Sequence, residues 1–341
     1  MGRSRSIRGW TKVGLAKVRG ACITALMQTT TRRNFLKSTL RTGLAFAGAG
    51  LLDTGSLLAV EPIKRAGAPR LLLSLAGYSF RDYFKDANHK RDTNTDSAKR
   101  IDLFQFIDYC AEHGCQGTEL TSYYFPPTLD HDFLIKIKRH AFLRGIDISG
   151  TAVGNTFTVP AGPKRDQEIA NTKKWIDYAA IMGAPHIRIF AGAAPSGMSL
   201  DEARQLCIPA IEECCDYAGG RGIFLGLENH GGIVSTAEEI LEIVRAVKSP
   251  WLGINLDTGN FHTDDPYADL VKIAPYAVNV QMKGEVHPRG KGEERADLPR
   301  LVKILRDADY QGYVALEYES KEDPWTAVPR LLKQMKELFA A

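Results

Sequence analysis

From about Arg70 onward the chain alternates short apolar runs with longer amphipathic ones. The apolar runs read as strands over Leu71–Ala76, Gly117–Leu120, Ile146–Val153, His186–Phe190, Ile223–Leu227, Leu252–Leu256, Ala277–Met282 and Tyr313–Leu316. Between them the apolar residues recur at helical spacing. In IDLFQFIDYCAEHG that spacing predicts a buried face of Ile101, Phe104, Ile107 and Ala111. SLDEARQL and STAEEILEIV open on predicted capping boxes, Ser199 with Glu202 and Ser235 with Glu238. Asp265–Pro266 and Asp323–Pro324 read as an N-cap followed by a first helical residue that has no amide hydrogen to leave unpaired. Eight strands, each followed by a helix, in about 270 residues predict an α/β fold of the (β/α)8 TIM-barrel type, a single domain over residues 69–341. The alternation excludes a β-sandwich. An open doubly wound sheet is the rival, and no GxGxxG follows the first strand to support a dinucleotide-binding version of it.

Charge changes the picture at one end only. The 341 residues include 44 Lys and Arg against 40 Asp and Glu, a net of +4. Residues 1–68 hold 12 of the basic residues and only Asp53 and Glu61 of the acidic ones, so the remainder carries 32 basic and 38 acidic side chains. An acidic body argues against a protein that tracks nucleic-acid phosphates. The basic end contains TRRNFLK, Thr31 to Lys37, then the uncharged run GLAFAGAGLL and small residues. Paired arginines before a short, moderately apolar run resemble a twin-arginine (Tat) export signal. The expectation is a leader over residues 1–68, with Met27 as an alternative start and cleavage between about Ala59 and Ala68. It implies the Tat export machinery as a partner and the periplasm or cell envelope as the destination. The run is too short to span a bilayer comfortably, so no stable membrane span is expected in the mature protein. Five cysteines lie past the leader, with no CxxC pair, and are expected to be buried free thiols.

In a barrel of this type the chemistry sits at the C-terminal ends of the strands, where the loops line one mouth. Strand 1 ends in GYSF with Tyr78, strand 2 carries Glu119, strand 3 ends at Asn155, and strand 4 carries Arg188. Strand 5 ends on Glu228, Asn229 and His230. Strand 6 leads into Asp257, Asn260 and His262; strand 7 carries Gln281, Lys283 and Glu285; strand 8 carries Glu317 and Glu319. Four consecutive strands thus deliver Glu228, Asp257, Gln281 and Glu317 at one height. Three carboxylates converging there repel one another, and a divalent cation is the simplest remedy. The oxygen-rich set favours Mn2+ or Mg2+, tolerates Co2+ and suits Zn2+ less well. His230 and His262 are open between substrate contact and loop hydrogen bonding. Lys283 is open between substrate contact and ion pairing with the acids. Glu119 and Glu319 read as supporting groups.

GLENH, NLDTGN, QMK and ALEYE, in that order, make the chain from about Leu71 to Phe339 resemble the sugar phosphate isomerase/epimerase family of xylose isomerase-like barrels. The resemblance implies that Glu228, Asp257, the strand 7 residue and Glu317 bind one divalent metal and that the two glutamates also transfer protons. Gln281 stands where that family usually has histidine, and an amide oxygen is a weaker, neutral donor.

The reading that follows is a metal-dependent sugar isomerase or epimerase that abstracts a proton next to a carbonyl of a ketose or keto-sugar, using Glu228 and Glu317. His230, His262, Lys283, Arg188, Glu119, Tyr78 and Asn155 are the candidate substrate contacts, and Tyr78, Phe80, Tyr123 and Phe157 the candidate stacking rings. A metal-dependent lyase or hydratase on a keto-glycoside or keto-sugar is the alternative, because elimination starts from the same proton. A non-catalytic sugar-binding barrel is a third. An abasic-site endonuclease fits poorly with 8 histidines and an acidic body. The substrate, the metal's identity and the oligomeric state, a homo-oligomer included, are left open.

Overall fold

In the computed structural model, which describes residues 60–87 and 96–341, eight parallel strands close into a barrel. These are β1 (Arg70–Ala76), β2 (Gly117–Thr121), β3 (Asp147–Ala152), β4 (His186–Ile189), β5 (Phe224–Glu228), β6 (Leu252–Asp257), β7 (Ala277–Met282) and β10 (Gln311–Leu316). Between β7 and β10 a small antiparallel hairpin, β8 (Glu285–Val286) with β9 (Glu294–Arg295), is inserted at the mouth. The helices are α1 (Leu103–Glu112), α2 (His131–Leu143), α3 (Pro163–Met182), α4 (Leu200–Gly219), α5 (Ala237–Ala246), α6 (Pro266–Ile273), α7 (Leu298–Asp307) and α8 (Pro324–Ala340). The twin-arginine segment lies outside the described residues. Val60 is buried, and Ile63 donates its amide to Pro275, so the stretch just before β1 packs against the barrel. Among the described residues no helix is long and apolar enough to cross a membrane.

The predicted strands all form, with ends shifted by a few residues. The Ser199–Glu202 capping box is present on α4, and Asp265 and Asp323 cap α6 and α8 ahead of their prolines. The second box is offset by one residue: Thr236 and Glu239, not Ser235 and Glu238, exchange the bonds. Either register satisfies the pattern in STAEEILEIV; the observed one lets Ala237, Ile240, Leu241 and Val244 face the core. The face of α1 is rotated in a similar way. Leu103, Phe106, Ile107 and Cys110 are buried, while Phe104 and Ala111 are only partly so and Ile101 precedes the helix. Aromatic packing decides this, since Phe106 sits edge-on to both Phe80 and Phe84. The five cysteines Cys110, Cys115, Cys207, Cys214 and Cys215 are free and buried.

Side chains of alternate strand positions fill the barrel. Near the bottom Ser74 and Ser149 share a hydrogen bond of 2.7 Å. Above them the ring of His186 lies against the backbone of β3, where a Cβ on Gly150 would come within 1.9 Å of it. Only glycine leaves room for that imidazole.

Candidate active site

Period-two alternation places polar residues in layers on the inner wall. On β7 Asn279 and Gln281 point inward, and Lys283 follows at the strand end; on β6 Asn255 and Asp257 do so, paired with Asn279 and Gln281 in register. The lower layer is a closed amide chain. Asn279 donates to Glu119 Oε2 (2.8 Å) and to Asn255 Oδ1 (2.8 Å). Asn255 donates to Gln281 Oε1 (2.6 Å), and Gln281 donates to Glu119 Oε1 (2.6 Å) and Glu317 Oε1 (3.3 Å). Glu119 is fully buried, and that burial, with the charge of Glu317, pushes its carboxyl up to about 7.

The upper layer is charged. Glu228, at the end of β5, pairs with Arg188 Nε at 2.9 Å and accepts from Asn260 Nδ2 at 2.9 Å. Both partners of the ion pair are about 5% exposed or less. Burial raises the Glu228 carboxyl well above its usual range; Arg188 pulls it back, while Asp257 and Glu317 push it further. Asp257 Oδ1 accepts the amides of Gly259 (2.8 Å) and Asn260 (3.0 Å), but its buried Oδ2 accepts no hydrogen bond. Burial and the charge of Glu317 raise its carboxyl too, against the pull of Lys283. Lys283 Nζ lies 3.3 Å from Asp257 Oδ2 and 2.7 Å from Glu317 Oε2, and also donates to Glu319. Despite its burial the ammonium is held well above its ordinary value by those three acids.

Beside Glu228 a cavity of about 410 Å³ opens, lined by Asn155, Phe190, Gly192, His230, Gly231 and Gly232. Larger grooves lie elsewhere, such as one of about 640 Å³ under α2 beside Ile135, Phe142 and Met182, but no converging carboxylates line that one. His230 packs against Phe190, ring centroids 4.6 Å apart, and burial with the nearby Arg188 charge lowers its pKa, favouring neutral imidazole. Arg188 stacks over the same Phe190 ring at 3.9 Å and donates to Val153 O at 3.0 Å. Tyr78 is half-buried, raised by burial and by Glu319, with Arg81 over its ring at 5.4 Å.

Two candidate contacts have their polar groups turned to other tasks. Asn155 exchanges both amide bonds with the backbone of Phe190, 2.8 and 2.9 Å, and so ties the end of β3 to that of β4. His262 is exposed and stacks on His287, with centroids 5.0 Å apart. Phe80 and Phe157 are not available as stacking rings: both are fully buried, and Phe80 packs against Phe106, Tyr109 and Trp325. Asn255 and Asn279 join the site without standing out in the strand-end pattern, and so does Asn260 as a partner of Glu228. Their signal is the spacing Asn255–Asp257 and Asn279–Gln281–Lys283, an inward row of amides that ends on a charged residue in each strand.

Among the described residues, the ion pairs of Glu228, Asp257, Glu317 and Glu319 in this cluster are with Arg188 and Lys283, and Glu119 accepts from neutral amides. The surplus of acid, the oxygens of Glu228, Asp257 and Glu317, and the hydrogen-bond-free Asp257 Oδ2 fit a hard divalent cation in charge and donor type, whereas the Gln281 oxygen already accepts from Asn255. In arrangement, Lys283 takes the space between Asp257 and Glu317, and among the described residues no three His, Cys, Asp or Glu side chains are gathered to hold a metal ion.

Comparison with known proteins bears on this site. The human protein named "Putative hydroxypyruvate isomerase" is 23% identical over 239 residues, 62% of this chain and 82% of that protein. The 2-oxo-tetronate isomerase of Haemophilus influenzae is 22% identical over 178 residues, 49% of this chain and 66% of that protein. Among solved structures, the 3-keto-D-glucoside 4-epimerase of E. coli superposes with a TM-score of 0.58 at 16% identity, covering 79% of this chain and 100% of that one. A structure of the IOLI protein with a bound zinc atom reaches 0.61 at 16% identity, covering 78% and 96%. These structural likenesses establish the fold. The family described as xylose isomerase-like TIM barrel matches residues 107–337, well over half of the 341. The chain belongs to the xylose isomerase-like TIM barrel family.

Proposed function

We propose that the chain is an isomerase or epimerase that moves a proton on a carbon next to the carbonyl of a ketose or keto-sugar, with a divalent cation, Mn2+ or Mg2+, held by Glu228, Asp257, Gln281 and Glu317. The isomerase and epimerase names of its relatives support the reaction class. The residue assignment is carried by one observation. Two buried carboxylates, Glu228 at the end of β5 and Glu317 just after β10, flank the strands β6 and β7, and each is held by its own cation.

Glu228 takes the proton. Its raised pKa makes it a stronger base than an exposed carboxylate, and Asn260 and Arg188 fix both of its oxygens. Glu317, paired with the Lys283 ammonium in the metal-free chain and bonded by the Gln281 amide, returns or relays the proton from the other side. Held by Glu228, Asp257, Gln281 and Glu317, a divalent cation would supply Lewis-acid polarisation of the substrate carbonyl, which would acidify the neighbouring carbon. Neutral His230 both donates and accepts, which suits a hydroxyl in the adjoining cavity.

The test is exchange with solvent. Ketoses and 3-keto-glycosides incubated with the protein, Mn2+ and D2O are expected to acquire deuterium on carbon in a product otherwise unchanged in mass, read by NMR and mass spectrometry. Loss of water or cleavage of the glycoside would identify a lyase. Conversion of a substrate with no deuterium on carbon refutes proton abstraction.

A further inference from the structure

We propose that Lys283 is an internal counter-ion that competes with a divalent cation for the same carboxylates, so that its ammonium leaves Asp257 and Glu317 when the ion enters. This rests on the divalent-cation reading above and concerns what the chain's own lysine does toward that ion.

Lys283 Nζ faces two of the four candidate donors, as an ion pair 3.3 Å from Asp257 Oδ2 and as a hydrogen-bond donor 2.7 Å from Glu317 Oε2. A hard divalent ion needs the same oxygens at about 2.0–2.6 Å. A divalent ion at those oxygens would repel the ammonium beside them, so its entry weakens the hold of Lys283. Asp257 Oδ2 is the informative atom. It is buried and accepts no hydrogen bond within the described chain, whereas Oδ1 accepts two, so a cation can approach it without displacing a donor.

The lysine also has somewhere to go. Its third partner, Glu319, is 34% exposed, against 0% for Asp257 and 7% for Glu317. A four-carbon stem can swing outward and keep the Glu319 contact while giving up the two inner ones. Arg188 has no such freedom, because it is stacked on Phe190 and bonded to Val153 O. The two cations therefore divide the work: Arg188 stays on Glu228, and Lys283 yields.

Mn2+ alone, titrated into metal-free protein and followed by calorimetry and by the electron paramagnetic resonance of free Mn2+, tests the competition. Lys283→Met is expected to bind Mn2+ about tenfold or more tightly than the parent, and Lys283→Arg no more tightly than the parent. Equal or weaker binding by Lys283→Met overturns the competition while leaving the cation reading intact. If neither parent nor variants bind Mn2+ or Mg2+, the cation reading falls and the competition falls with it. The parent chain supplies a second measurement that needs no variant: acylation of Lys283 by an amine-directed reagent, located by mass spectrometry. Labelling is expected to rise severalfold with Mn2+, and unchanged or reduced labelling overturns the proposal.

Discussion

Two buried cations in this protein each face three acids, and they do different things. Arg204 on α4 reaches Asp201, Glu239 (3.3 Å) and Glu242 (2.8 Å) on the outside of the barrel. Lys283 reaches Asp257, Glu317 and Glu319 at the mouth. The side chains of Arg204 and Lys283 are nearly equally buried, at 7% and 6%. Their acids are not. Those around Arg204 are 82%, 22% and 42% exposed, so water carries much of their charge. Those around Lys283 are 0%, 7% and 34% exposed, and their charge must be met inside the protein. Ligand geometry differs as well. Arg204 spreads its acids over Nε, Nη1 and Nη2, a fork that locks α4 to α5, whereas all three acids of Lys283 converge on one rotatable nitrogen. Counting charges does not separate a clamp from a site; the solvation of the acids does.

The sharpest way to break this comparison is to make the same change in both clusters. Glu228→Gln and Glu317→Gln are expected to fold normally and lose about a thousandfold or more in turnover, because an amide cannot take a proton from carbon. Glu239→Gln and Glu242→Gln are expected to stay within about twofold of the parent, since glutamine at 239 preserves the capping box. Steady-state turnover of all four on one accepted substrate decides it. Ordinary turnover in Glu228→Gln or Glu317→Gln sinks the two-glutamate assignment.

The two clusters were unequally legible. The barrel followed from hydrophobic period alone, because each strand had to be apolar on its outer face and each helix on its inner one. The acids at the mouth were legible because a carboxylate at the end of an apolar strand is costly anywhere else. What escaped was relative placement. The spacing of QMK names Lys283 but does not say that its nitrogen lies between Asp257 and Glu317, because that depends on the stagger of β6, β7 and β10. Asn255 and Asn279 escaped because an inward amide in a strand looks like any polar residue until Glu119, 160 positions from Asn279, is brought opposite it. The capping box slipped by one residue because SerThr precedes GluGlu, and tertiary packing chose between equal local solutions.

Acid titration separates the interior charges from one another, with a smaller effect. Burial lowers His186 to about 4 from an unfolded value near 6.5, so the unfolded chain binds its proton first as pH falls. Stability from this residue is fully present above about pH 6.5 and is lost toward pH 4, on the order of 3 kcal/mol over the window. The buried acids have the opposite sign. Glu119 is raised to about 7, so its folded state holds the proton more tightly, and stability falls as pH rises from about 4.5 toward 7. In the parent the two slopes oppose. Replacement by His186→Gln is expected to leave the acid slope alone, so that the urea midpoint of the variant declines from pH 4.5 to 7. A parent-like pH profile in the variant would mean that His186 is not held neutral.

The smallest effect closes the comparison from the outer side. Arg204→Ala removes a buried stem and its charge-assisted bonds but leaves three acids that water can solvate. The expected cost is about 2 kcal/mol of stability, mostly lost packing. Urea unfolding should show a lower midpoint with an unchanged slope, and turnover below that midpoint should match the parent. The measurement also discriminates. If Arg204 were a conduit to the mouth, Arg204→Ala would lower turnover and weaken Mn2+ binding under conditions where the protein is fully folded. The layout argues otherwise, because Arg204 meets only groups on α4, on α5 and in the loop before α5, and none of these is a partner of Lys283. A purely thermal penalty is therefore what the solvated cluster should exact, and a catalytic one is what the unsolvated cluster should.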